Sequence, residues 1–86
     1  MAHHITVYGS TWCSDCKRAK RFLGDQQVEY RWIDVERDED ARKFVDEHND
    51  GTTIIPTILF DDGAVLVEPS NAQLAQKLGL DRKSVV

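Results

Sequence analysis

Cysteine is nearly missing from this chain: of 86 residues only Cys13 and Cys16 carry a thiol. That excludes the disulfide framework that staples small secreted domains. A single bridge between two such close positions would be a poor staple, because stabilisation grows with the length of the loop closed. A surplus of positive charge is missing too. Lysine and arginine number 11 against 15 aspartates and glutamates, giving a net charge of −4 and a pI near 5.2, whereas a nucleic-acid partner would call for a basic excess. No apolar run approaches membrane-spanning length. The polar histidines near the N-terminus, followed by a short interrupted apolar run, do not make a signal peptide. Together these features predict a cytoplasmic protein that binds neither membrane nor nucleic acid, in a compartment where a lone cysteine pair is more often catalytic than structural. With two prolines and five glycines, the chain shows no linker, repeat or low-complexity tract. Its length suits one small domain with a modest core, residues 1–80, and a loose tail, residues 81–86.

What is present centres on Ser10-Thr11-Trp12-Cys13-Ser14-Asp15-Cys16-Lys17-Arg18. An apolar-rich run, His4-Ile5-Thr6-Val7-Tyr8, leads into it, and a helical pattern with Ala19, Phe22 and Leu23 on one face follows. A Cys-x-x-Cys between a strand and a helix is thiol chemistry in its usual setting. Residues three apart share a helix face, so the two sulfurs can reach bonding distance with little backbone movement. One thiol can then attack and the other resolve. Cys13, at or before the first turn, faces unpaired backbone amides and the positive end of the helix dipole, which favour a thiolate. Cys16, a turn further in, lacks most of that help, so Cys13 is the predicted nucleophile and Cys16 the resolving thiol. Asp15 opposes ionisation beside it, and Lys17 and Arg18 offset that charge.

The remaining elements follow from periodicity and punctuation. Residues 4–8 read as a strand and 13–25 as a helix ending near Gly24-Asp25. Residues 28–35 alternate as a second strand, with Tyr30 and Trp32 on one face for packing against a helix. A helix over 38–49 has Ala41, Phe44, Val45 and His48 on its apolar stripe, acids in its first turn, and Gly51 as its stop. Residues 57–60 and 64–67 form a hairpin around Asp61-Asp62-Gly63. Ser70 and Gln73 match a capping box opening a last helix, with Leu74 and Leu78 apolar and Gly79-Leu80 resembling a Schellman ending.

These residues carry a resemblance. Trp12-Cys13-Ser14-Asp15-Cys16 after a strand, with Ile54-Ile55-Pro56-Thr57 opening the third strand, resembles the thioredoxin superfamily. With only a dozen residues before Cys13, the size looks like the glutaredoxin class. Within it the chain is most similar to mycoredoxin-like small redoxins, through Trp-Cys-x-x-Cys-Lys-Arg, Ile-Pro-Thr and Pro69-Ser70-Asn71, over about residues 4–80. The resemblance implies an α/β, thioredoxin-like fold of order β-α-β-α-β-β-α, a four-stranded mixed sheet flanked by three helices with the cysteines at one edge. It also implies a cis Ile55-Pro56 bond facing Cys13. The Ile55 backbone would then pair with an extended substrate, and Pro56 would keep metal from the thiols. The implied substrate-binding set is Trp12, Ser14, Asp15, Lys17, Ile55, Pro56, Ser70 and Asn71.

Two departures bear on substrate. Ser14-Asp15 stands where glutaredoxins commonly have Pro-Tyr. Val67-Glu68-Pro69-Ser70-Asn71 lacks the Gly-Gly pair of glutathione-binding members, so mycothiol or a protein disulfide fits at least as well as glutathione. Amides following Ser70 remain available for an anionic group. The expected protein is a monomeric dithiol oxidoreductase without metal or organic cofactor, which reduces protein or small-thiol mixed disulfides and is itself reduced by an external reductase or thiol.

Two other classes compete with it. One is an electron donor dedicated to an enzyme such as ribonucleotide reductase; the other is a cluster- or metal-binding module. A structural zinc wants four ligands, whereas His3 and His4 lie roughly 15 Å along the strand from the thiols and His48 reads as a half-buried core residue. Trp12 either stacks on substrate or covers the sheet edge, and Lys17, Arg18, Lys20 and Arg21 form either a solvated face or a steering patch for an anionic partner.

Overall fold

The computed structural model describes residues 5–79. In chain order the elements are β1 (Thr6–Gly9), α1 (Ser14–Asp25), β2 (Arg31–Asp34), α2 (Glu39–His48), β3 (Thr57–Leu59), β4 (Val65–Val67) and α3 (Asn71–Leu78). The strands form one mixed sheet in the order β2-β1-β3-β4, with β1 and β2 parallel and the pairs β1–β3 and β3–β4 antiparallel. This is the expected βαβαββα order. No described helix is long and apolar enough to cross a membrane. His3, His4, Leu80 and the 81–86 tail lie outside the described residues.

Alternation along the inner strands sorts the core into two layers. Ile5 and Val7, with Ile58 and Phe60, face Ala19 and Leu23 of α1 and Leu74 of α3. Tyr8 faces the other way, against Val35 and against Ala41 and Val45 of α2, with Leu59 packed on the same cluster. The register Val7↔Ile58 and Thr6↔Leu59 keeps like faces together. Helices therefore cover both sides of the sheet, α1 and α3 on one and α2 on the other. Tyr30 and Trp32 join the first layer, and the Lys20 ammonium lies 4.0 Å from the Trp32 ring centroid.

Three local differences from the sequence reading have physical causes. The second strand starts at Arg31 rather than Val28, because the N–H of Val28 closes the end of α1 on the Leu23 carbonyl at 2.9 Å and Gln27 turns through a left-handed φ of 58°. Asp38 is the N-cap of α2 rather than part of its first turn, its carboxylate accepting from Ala41 N–H at 3.0 Å. His48 is exposed rather than half-buried. It is the last residue of α2, its Nδ1 donating to the Phe44 carbonyl at 2.9 Å and its ring 4.3 Å from that of Phe44.

The last helix begins as read. Ser70 Oγ accepts from Gln73 N–H at 3.1 Å while Gln73 Oε1 accepts from Ser70 N–H at 2.8 Å, and Gly79 ends the helix in the left-handed region at φ 77°. Replacing Ser70 by Ala should cost about 0.5–2 kcal/mol of stability. The check is urea unfolding, with a lower midpoint at unchanged slope.

Candidate active site

The inner strand β1 ends at Gly9, and a tight turn closed by Cys13 N–H on the Ser10 carbonyl at 3.4 Å delivers the chain to α1. Cys13 is the N-cap of that helix, with φ −80° and ψ 118°. Its Sγ takes the place of the usual capping oxygen, accepting from the Cys16 N–H at 3.3 Å. An amide at the positive end of a helix thus points at the sulfur. Cys13 keeps 9% of its surface accessible, and Cys16 keeps none.

Both cysteines are free thiols. Burial pushes the Cys16 thiol up to about 12, the hydrogen bond with the Cys13 sulfur adds to this, and the Ser10 backbone N–H opposes it. Cys16 is therefore a neutral thiol at pH 7. Its seat depends on Gly9, since a Cβ there would stand 2.5 Å from Cys16 Sγ and 2.8 Å from the Trp32 ring. A glycine closing a strand just before the motif marks a close approach of this kind, and it is the sequence signal for a position that the motif alone does not reveal.

The other expected site residues fall into three groups. Ser14, Asp15 and Lys17 are exposed on the first turn of α1. Trp12, 68% exposed, lines a groove of about 210 Å³ with Ser10, Val35, Glu36, Arg42, Thr53 and Ile55. Trp12 thus stands outside the core. The Ile55-Pro56 bond is cis, and Pro56 is fully buried. Ser70 and Asn71 open α3, and the capping box has taken up the Ser70 and Gln73 amides that an anion would otherwise meet.

Arg18 joins the two halves of this surface. Its Nη1 donates to Asn71 Oδ1 at 2.7 Å and its Nη2 to the Pro69 carbonyl at 3.0 Å, with Asp15 at 3.9 Å. Arg18 is a clasp between α1 and the start of α3 rather than a free steering charge; its partners lie 53 and 51 positions away along the chain, so periodicity could not show them. Beside the clasp, Glu68 donates its N–H to the Pro56 carbonyl at 2.8 Å and takes a left-handed φ of 48°. Such a conformation costs a residue with a Cβ on the order of 1–2 kcal/mol. Ser10 Oγ is buried without a hydrogen-bond partner among the described residues. Among the described residues, no group of three or more His, Cys, Asp or Glu is placed to hold a metal.

Comparison with known proteins gives the arrangement its relatives. A glutaredoxin family model matches residues 5–65. Mycoredoxin 1 of Corynebacterium glutamicum is 36% identical over 75 residues, covering 87% of this chain and 92% of the relative. The crystal structure of the thioredoxin-like protein BC3987 superposes with a TM-score of 0.73 at 32% identity, covering 84% of this chain and 96% of that one. The glutaredoxin of Archaeoglobus fulgidus, at 21% identity, shares the fold with a TM-score of 0.67 over 84% of this chain and 82% of its own.

The Cys16 environment has a consequence for stability. Between its ordinary value of 9.0 and about 12, the unfolded thiol ionises while the folded one stays neutral. The unfolded state then binds fewer protons, and stability falls as pH rises through that window. In urea unfolding under reducing conditions, the wild type should lose stability more steeply above pH 9 than Cys16→Ala. Tyr8, whose phenol burial also pushes up, is common to both proteins, so the difference isolates Cys16.

Proposed function

This chain belongs to the glutaredoxin family, and from that premise we propose that it reduces protein disulfides, or mixed disulfides with a low-molecular-weight thiol of the mycothiol or glutathione type, through Cys13 with Cys16 resolving. Thiol–disulfide exchange is the family's chemistry; the division of labour between the two thiols is the part read from this site. The Cys13 thiolate attacks one sulfur of the substrate disulfide, a new Cys13–substrate S–S bond forms, and the other sulfur leaves as a thiolate that takes up a proton. Cys16 then loses its proton and attacks the Cys13 sulfur, releasing the second substrate thiol and leaving a Cys13–Cys16 disulfide. A second small thiol can instead attack the mixed disulfide. Two electrons from an external reductase or thiol return the pair to the dithiol.

The observation that carries this reading is the asymmetry of the pair. Cys13 reaches the surface with an amide on its sulfur. Cys16 is enclosed as a neutral thiol, which keeps the resolving group from competing for substrate. Trp12 and Ile55 on one groove offer an apolar wall beside Cys13. No hydrogen bond engages the Ile55 backbone among the described residues, which leaves it for an extended substrate by strand addition. The dithiol is the whole redox centre, with no metal or organic cofactor, in a monomer working in a reducing cytoplasm.

The test is turnover of one protein's mixed disulfides with glutathione and with mycothiol, by wild type, Cys13→Ser and Cys16→Ser. Cys13→Ser should fall to the uncatalysed rate. Cys16→Ser should keep turning over while free small thiol is supplied. A wild type inactive on both disulfides would sink the reading and leave an electron donor dedicated to one enzyme.

A further inference from the structure

Glu68 stands where the segments bounding the site meet. Its N–H is held by the Pro56 carbonyl at 2.8 Å, and Pro56 follows Ile55, which shares the groove with Trp12, the neighbour of Cys13. The next carbonyl, that of Pro69, is held by Arg18 of α1 at 3.0 Å. Between these anchors Glu68 keeps a left-handed backbone that glycine would adopt without strain, and it is exposed. A side chain retained at a strained position on the rim of a site points to a use for it.

The surrounding charges indicate that use. The Ser70 and Gln73 amides at the start of α3 are engaged in the capping box. The Arg18 guanidinium is bonded to Asn71 and Pro69 and lies by Asp15. The groove is lined by one cation, Arg42, and one anion, Glu36, which make no ion pair among the described residues. Lys17 is the exposed cation on the first turn of α1. Glu68 makes no ion pair among the described residues, so its carboxylate adds uncompensated negative charge to a rim on which Arg18 and the Ser70 and Gln73 amides are engaged.

We propose that Glu68 is a specificity-determining residue that sets the site against disulfides whose small-thiol half carries carboxylates and in favour of those whose small-thiol half is uncharged or cationic. This deepens the redox reading above and rests on it. In the step concerned, Cys13 attacks the sulfur of the small-thiol half, the Cys13–small-thiol S–S bond forms, and the protein thiolate leaves and is protonated. The small thiol is then held on the rim beside Glu68, where like charges repel and opposite charges attract.

The experiment compares mixed disulfides of a single peptide with glutathione, with mercaptoethanol and with cysteamine, using the full reduced chain. The wild-type order of kcat/KM should be cysteamine, then mercaptoethanol, then glutathione. Glu68→Gln should raise the glutathione-to-mercaptoethanol ratio on the order of three- to tenfold at low ionic strength, and Glu68→Lys further. Added salt should shrink the wild-type differences. Unchanged ratios in both variants overturn the proposal. So does a shift produced by Glu68→Gly alone, which would make backbone strain rather than charge the determinant. A wild type that turns over none of the three disulfides overturns the redox reading along with it, whereas turnover indifferent to Glu68 overturns only this inference.

Discussion

Much of this molecule depends on one close contact, the seating of the Cys16 sulfur against the backbone of Gly9. With no Cβ at Gly9, the sulfur and the edge of the Trp32 ring occupy the space above the end of β1. Helix α1 can therefore start directly on an inner strand of the sheet. Cys16 is driven into the interior, where burial keeps it protonated. Cys13, three residues earlier, keeps a small accessible surface as the cap whose sulfur receives the Cys16 amide. The chemical difference between two identical side chains thus comes from where a helix lands, and the ammonium of Lys20 over Trp32 helps hold the ring beneath it.

The rest of the working surface is built by bonds that reach across the chain. Arg18 ties α1 to Pro69 and Asn71, and the Glu68 N–H ties the same segment to Pro56. Three stretches, around residues 12–18, 53–56 and 68–71, become one rim through these few hydrogen bonds. Several groups that look available for ligands in isolation are used internally. The Ser70 and Gln73 amides at the start of α3 are taken by its capping box, and Asn71 Oδ1 is occupied by Arg18. What faces outward is the Trp12 ring, the groove with Arg42 and Glu36, and the Glu68 carboxylate.

The element order was legible because it is written in local chemistry. Alternation in Ile5-Thr6-Val7-Tyr8, the acids from Asp38 to Asp40, the Asp61-Asp62-Gly63 turn and the Ser70–Gln73 box each act within a few residues. The strand before Arg31 was over-read, because Val28 has the composition of a strand while its N–H is spent on the helix behind it. His48 was misread for a related reason: helical periodicity gives the direction a side chain takes and not how deeply it is covered, so the last residue of a helix can share the apolar stripe and still face water.

By itself the sequence determined the order and approximate places of the helices and strands, the capping box of the last helix, and the pair of thiols at a helix start, since all of these follow from neighbours in the chain. The tertiary structure alone decided which thiol is shielded, that Arg18 is a clasp and not a free charge, that Trp12 stands in the open, and that Glu68 sits strained on the rim. Those properties depend on the approach of segments up to 53 positions apart. Burial and long-range hydrogen bonds exist only once such segments meet, and no local pattern encodes them.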